Sequence, residues 1–300
     1  MTDSASMLRS CRLCPRNCGV DRTAGQTGFC GCGAEARLAR ASLHFWEEPC
    51  VSGTAGSGTV FFSDCNMRCV FCQNHDISQG GSGRTVGTRD LAAVIESLGA
   101  KGPHNINLVS PTQYTPQIMA ALERTTSTPP VVWNSNAYEN AGVLRLLEGI
   151  VDVYLPDLKY CDDDLAIRYS SAPGYFAAAT ASILEMVRQV GPVVLDERGI
   201  ARKGLIVRHL VLPGHVDDSR RVLEWIAGNM PRGVYVSLMS QYIPAHNASG
   251  YAGINRRLTQ REYDEIVDRM ISLGLEDGYC QDLSSASPGF TPPFDLEGLG

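Results

Sequence analysis

The chain has 300 residues, 44% hydrophobic and 19% charged, with a formal net charge of -6, which suits one large folded unit or two modest ones. That acidic balance supplies no broad basic field, so nucleic acid and anionic lipid are disfavoured partners. The opening MTDSASMLRSC lacks the apolar core of a secretory signal, and no run approaches the roughly 18 apolar residues of a membrane span, so a cytoplasmic chain is expected.

Eleven cysteines, an odd number without a secretion signal, argue against a disulfide framework and for metal or cluster ligation. The first group falls in residues 1–57, a stretch rich in cysteine and glycine with little apolar periodicity. Cys11, Cys14, Cys18 and Cys30 form C-x2-C-x3-C-x11-C, with Cys32 a spare for the last place. Four thiolates close either a tetrahedral zinc or an iron–sulfur cluster. The spacing admits both; the resemblance to a small knuckle favours zinc as a staple for a polar segment. In HFWEEP, the side chains of His44, Glu47 and Glu48 are candidates either for a substrate entrance or for an interdomain ion pair. SGTAGSG then reads as a flexible junction.

From residue 58 to 275 short apolar runs alternate with amphipathic segments, the pattern of βα units around a parallel sheet. Strands are expected at 58–63, 106–110, 130–134, 151–155, 205–212 and 234–240, each rich in β-branched or aromatic residues. Leu91, Val94, Ile95 and Leu98 share one helical face ended by Gly99, and Thr259 with Glu262 forms a capping box. Residues 276–300 read as a loop tail. The fold class is therefore α/β: six βα units with a small cysteine-rich N-terminal extension.

The second cysteine group follows the first of these strands. In DCNMRCVFCQN, Cys65, Cys69 and Cys72 form C-x3-C-x2-C. Three thiolates from one short loop can hold three irons of a cubane and leave the fourth without a protein ligand; structural zinc wants a fourth ligand, for which His75 is the nearby candidate. Polar clusters stand at the other strand ends: SPTQY, NSNAYEN, PDLKYCD, RHLVLPGH and SQYIP. In parallel βα arrays that is where functional side chains collect. Cys50, Cys161 and Cys280, each isolated, read as buried thiols.

With its aromatic Phe71, the loop resembles the signature of the radical SAM superfamily. This implies an incomplete (β/α)6 radical SAM barrel, a [4Fe-4S] cluster on Cys65, Cys69 and Cys72, and S-adenosylmethionine (SAM) on the open iron with Phe71 beside its adenine. Reductive cleavage of SAM would give a 5′-deoxyadenosyl radical that abstracts hydrogen from a substrate. CRLCPRNCG, INLVSPTQYTPQI, VDVYLPDLKY, LIVRHLVLPG and YVSLMSQY are together similar to PflX-type pyruvate formate-lyase activating-enzyme-like proteins. By that resemblance Asp157 and Lys159 contact the methionine part of SAM or the substrate, Arg208 holds its carboxylate or ribose, and Asn134 and Asn136 match the polar end of the third strand. Where such enzymes carry Gly-Gly-Glu, this chain has Ser110, Pro111 and Thr112, so the Thr112 hydroxyl would have to substitute. The activity expected is activation of a glycyl radical enzyme, fed by a low-potential flavodoxin- or ferredoxin-type donor. Radical modification of a metabolite or peptide is the alternative, and a non-catalytic electron-transfer or metal-binding protein is the reading from another class.

Overall fold

The structure is a computed structural model that describes residues 4–287, 289 and 291–299. Its strands are β1 (Ala36–His44), β2 (Ser57–Phe62), β3 (Arg84–Val86), β4 (Ile106–Val109), β5 (Val131–Ser135), β6 (Val153–Pro156), β7 (Val194–Leu195), β8 (Ala201–Leu210), β9 (Tyr235–Met239) and β10 (Gly278–Cys280). All six strands expected from the sequence are present, as β2, β4, β5, β6, β8 and β9. They lie side by side in one sheet of order β10-β9-β8-β6-β5-β4-β2-β1-β3, with β7 pairing off β8. From β2 through β10 neighbours on this path run parallel. β1 runs antiparallel to both β2 and β3. The path ends at β3 and β10 without joining, so the sheet is an α/β arc and not a closed barrel.

Register decides what each face of the arc carries. Thr59, Asn107, Val132 and Val153 are paired in one row, and Phe61, Val109, Asn134 and Leu155 lie along the next row of the same parity. The opposite parity, with Val60, Phe62, Leu108, Trp133, Tyr154, Leu205, Val207 and Leu238, is buried in the main core beneath the helices. There Leu91, Ile95 and Leu98 of helix Thr88–Gly99 are fully enclosed. The concave face is apolar at the strand starts, where Cys50 and Val51 of the short helix Pro49–Ser52 pack on Val132, Val153, Leu155 and Ile206. Further along the strands it turns polar, since Asn134, Arg208 and Ser237 occupy the same parity. The amphipathic helix Gln260–Ser272 starts at the expected capping box, with Thr259 and Glu262 bonded reciprocally.

Three expectations need correction. SGTAGSG runs from the end of helix Pro49–Ser52 through a turn into β2, which pairs with β1 over six positions, so the sheet continues across the expected junction. Residues expected to be loop after 275 contain β10, which extends the sheet beside β9. Cys50 is buried as expected, but Cys161 is only half-buried and Cys280 is exposed.

Candidate active site

At the end of β2 the chain turns through Asp64, whose φ is +67°, a conformation few non-glycine residues adopt. Its surroundings hold it there. The Asp64 amide donates to the Ile77 carbonyl at 2.8 Å, and its carboxylate accepts from Tyr114 at 2.6 Å and from Arg37 at 3.2 Å. The Gln113 carboxamide donates towards the carbonyls of Ser63, Asp64 and Ser110, which ties the ends of β2 and β4 together. Ser110 and Ala137, after β4 and β5, also have positive φ. Such strain clusters where the chain must aim side chains at a site.

The three-cysteine loop that follows is pinned from the other side. The amides of Arg68 and Val70 donate to the carbonyls of Ser170 and Tyr169, at the end of helix Asp163–Ser170. Each thiol has a polar neighbour: Asn136 donates to Cys65 at 3.4 Å, Ser170 to Cys69 at 3.0 Å, and Ser78 lies 3.3 Å from Cys72. Burial, reinforced by the neighbouring cysteines, pushes Cys65 up to about 12 and Cys69 up to about 11, with Lys159 opposing. Three thiolates at this depth need a positive centre among them, as metal ligation supplies. Phe71 is buried and meets Tyr242 edge-on at 5.6 Å. His75 turns away from the cysteines, towards Asp76 and a stack on His246.

Beside the loop lies a pocket lined by Cys69, Phe71, Cys72, Asp157, Lys159 and Arg208. Its polar wall is one connected network. Arg208 donates to Asp157 at 2.8 Å, to Glu47 at 3.1 Å and to Asn134 at 2.6 Å, while Lys159 meets Asp157 at 2.6 Å. Burial alone would raise Asp157, but Arg208 and Lys159 hold it below the usual carboxylate range. Burial lifts Glu47 and Glu48 above that range, with Arg208 working against it. A second chamber, lined by His44, Trp46, Glu47, Glu48, Asn134 and Ser237 among others, adjoins the first; both are walled by Gln73, Asn74, Arg208, Met239 and Gln241.

These contacts place the expected site residues unequally. Cys69, Phe71, Cys72, Asp157, Lys159 and Arg208 share the first pocket; Asn134 faces the second chamber, and Asn136 braces Cys65. Thr112 lines neither: its buried hydroxyl donates to Glu139 at 2.9 Å. Cys11, Cys14, Cys18 and Cys30 surround a separate small cavity, while Cys32 turns to Asp64 at 3.7 Å. Sequence reasoning missed Ser170, Gln113 and Tyr175, whose hydroxyl lies 2.7 Å from the Asp157 carbonyl and 3.0 Å from the Lys159 amide. Ser170 and Tyr175 stand in no motif that marks them, and Gln113, although inside the polar SPTQY cluster, was not singled out within it.

The family model described as the radical SAM superfamily matches residues 59–226, more than half of the chain. The chain belongs to the radical SAM superfamily. It is also 32% identical, over 273 residues, to the uncharacterized protein MJ0674 of Methanocaldococcus jannaschii, an alignment covering 88% of this chain and 75% of that protein. Among solved structures it is similar to methylornithine synthase PylB, with 14% identity and a TM-score of 0.47 over 78% of this chain and 63% of that one. A second is SuiB of Streptococcus suis bound to S-adenosylmethionine, with 13% identity and a TM-score of 0.45 over 75% of this chain and 47% of that one. The chain thus spans less than two thirds of either solved structure.

Radical SAM membership implies a [4Fe-4S] cluster and SAM, and the residues fit both. Cys65, Cys69 and Cys72 are three half-buried cysteines on one braced loop, with polar contacts that would stabilise thiolate charge. Beside them Phe71 offers a flat apolar surface, and the Asp157, Lys159 and Arg208 network offers partners for an amino-acid moiety. When bound, the cluster and SAM together supply a 5′-deoxyadenosyl radical for hydrogen abstraction. No helix among the described residues is long and apolar enough to cross a membrane.

Proposed function

We propose that this radical SAM enzyme binds SAM in the pocket beside Cys69 and Cys72 and abstracts hydrogen from a substrate in the adjoining chamber. The observation that carries this reading is the common wall. Arg208 belongs to both cavities and is held by a carboxylate on each side, Asp157 in the SAM pocket and Glu47 in the chamber. One guanidinium thereby sets the position of both bound molecules, which is the alignment hydrogen abstraction requires. Lys159 and Asp157 would bind the polar part of SAM, and the apolar wall of Phe71, Leu210, Met239 and Tyr242 would exclude water.

The chamber supports a small polar molecule or a peptide side chain as substrate, because Glu47, Glu48, Asn134 and Ser237 converge inside it. Activation of a glycyl radical enzyme is the second reading, supported by the activating-enzyme-like blocks around Asp157, Lys159 and Arg208. A low-potential flavodoxin- or ferredoxin-type donor would supply the electron in either case.

Anaerobically reconstituted protein, reduced with dithionite, is expected to release 5′-deoxyadenosine from SAM, and Cys65→Ala to release none. Absence of release from wild type with an intact cluster would overturn the enzymatic reading. In a deuterated extract, transfer of deuterium into 5′-deoxyadenosine from the small-molecule fraction supports the chamber reading. Transfer from a protein, with a glycyl-type paramagnetic signal, supports the second.

A further inference from the structure

The cysteine-rich segment packs directly onto the three-cysteine loop. Arg16 donates to the Asn66 carbonyl at 3.0 Å and stacks over Phe29 at 3.6 Å; Arg68 donates back to the Phe29 carbonyl at 3.0 Å. Within the segment, the Cys11 amide donates to the Val20 carbonyl and the Gly19 amide to the Cys11 carbonyl, which closes a loop, and the Asn17 amide donates to the Cys14 carbonyl. Cys11, Cys14, Cys18 and Cys30 line one cavity with Leu13 and Val20. A Cβ on Gly28 would sit 2.7 Å from the Cys18 sulfur, so only glycine lets the 28–30 turn approach this closely.

A second observation points to an anion in that cavity. Arg22 lines it and is 1% exposed, yet its guanidinium donates only to the carbonyls of Gly33 and Gln113, and no carboxylate among the described residues pairs with it. A buried guanidinium is costly without an offsetting negative charge. Four thiolates around a metal centre carry net negative charge and would supply it.

Size separates the two centres that four cysteines can hold. Tetrahedral zinc with bonds of about 2.3 Å draws its sulfurs to roughly 3.8 Å from one another. Among the described residues no three Cys, His, Asp or Glu side chains converge in the way a single ion needs. The loop of Cys65, Cys69 and Cys72, which suits a cluster, does not converge either, and all four N-terminal cysteines nonetheless share one cavity.

From these observations we infer that Cys11, Cys14, Cys18 and Cys30 hold a second, fully ligated iron–sulfur cluster next to the loop of the SAM cluster. Asn66 joins the two regions: its main-chain carbonyl accepts from Arg16 at 3.0 Å, and its carboxamide oxygen lies 3.9 Å from the Cys65 sulfur. With every iron bound by a cysteine, this cluster has no open corner for SAM.

The test uses the full chain with Cys65, Cys69 and Cys72 all changed to Ala, reconstituted anaerobically. About two or about four irons with matching sulfide are expected, with a reduced-state paramagnetic signal that added SAM leaves unchanged. One zinc in place of iron, or a folded chain without metal, overturns the inference. If the triple variant does not fold, metal analysis of the wild-type holoprotein decides: iron well beyond about four per chain without zinc supports it, and about four irons with one zinc overturns it. Failure here leaves the proposed catalytic reading intact, because that reading is tested on Cys65 alone.

Discussion

Glu48 is a buried carboxylate with one unpaired oxygen: it is 7% exposed, its Oε2 has no hydrogen-bond partner among the described residues, and burial raises it above the ordinary carboxylate value. The folded chain therefore keeps a proton that the unfolded chain has released, and stability falls as pH rises from the ordinary carboxylate range through the raised value. Glu48→Gln should match wild type at acid pH and exceed it by about 1–3 kcal/mol above that window, read as Tm against pH. A variant less stable than wild type at neutral pH would contradict this. Asp157 has the opposite sign: held low by Arg208 and Lys159, it contributes stability that is lost as pH falls through its depressed value. At this scale Cys65, Cys69, Cys72 and Phe71 were legible, because their ligand geometry is local to eight residues. The contacts of Arg208 were not, since Asp157 and Glu47 stand 51 and 161 positions away. Thr112 shows the same limit from the other side: its hydroxyl was free to be assigned on paper and is taken by Glu139 in the fold.

The strands were visible as elements because buried parallel strands are short apolar runs. Their two faces were harder to separate, because polar residues such as Asn107, Asn134 and Arg208 are few within those runs. β10 was missed for a different reason: GYC is three residues long and owes its extended conformation to β9 alone. Gly278 lets the pair form. Its φ is +138°, and a Cβ there would lie 2.0 Å from the Val236 carbonyl oxygen. Gly278→Ala should therefore lift β10 off the sheet, lower stability by about 1–3 kcal/mol and release the Gln281 amide, bonded to the Leu238 carbonyl at 3.0 Å. Gln281 lines the chamber proposed for the substrate, so on that proposal the same variant should bind substrate more weakly. Denaturant midpoints and hydrogen exchange at Gln281 check the first part; unchanged protection there would disprove it.

For the molecule as a whole, β1 makes the N-terminal segment part of the sheet. A chain beginning at residue 58 loses β1, which is one of the two pairing partners of β2, strands β3 without a neighbour, and bares a hydrophobic sheet edge. It should aggregate, whereas a chain beginning at residue 35 keeps β1 and should stay folded; size-exclusion chromatography and circular dichroism distinguish them, and a folded monomer from residue 58 would refute the argument. The sequence by itself determined the α/β class, the six parallel strands and the three-cysteine loop, because each depends on periodicity or spacing over a few residues. Only the tertiary structure decided that Arg208 links two cavities through Asp157 and Glu47, and that Arg16 of the N-terminal segment is bonded to Asn66 of the three-cysteine loop. Those facts rest on contacts between distant segments, and such contacts exist only once the helices and strands have packed.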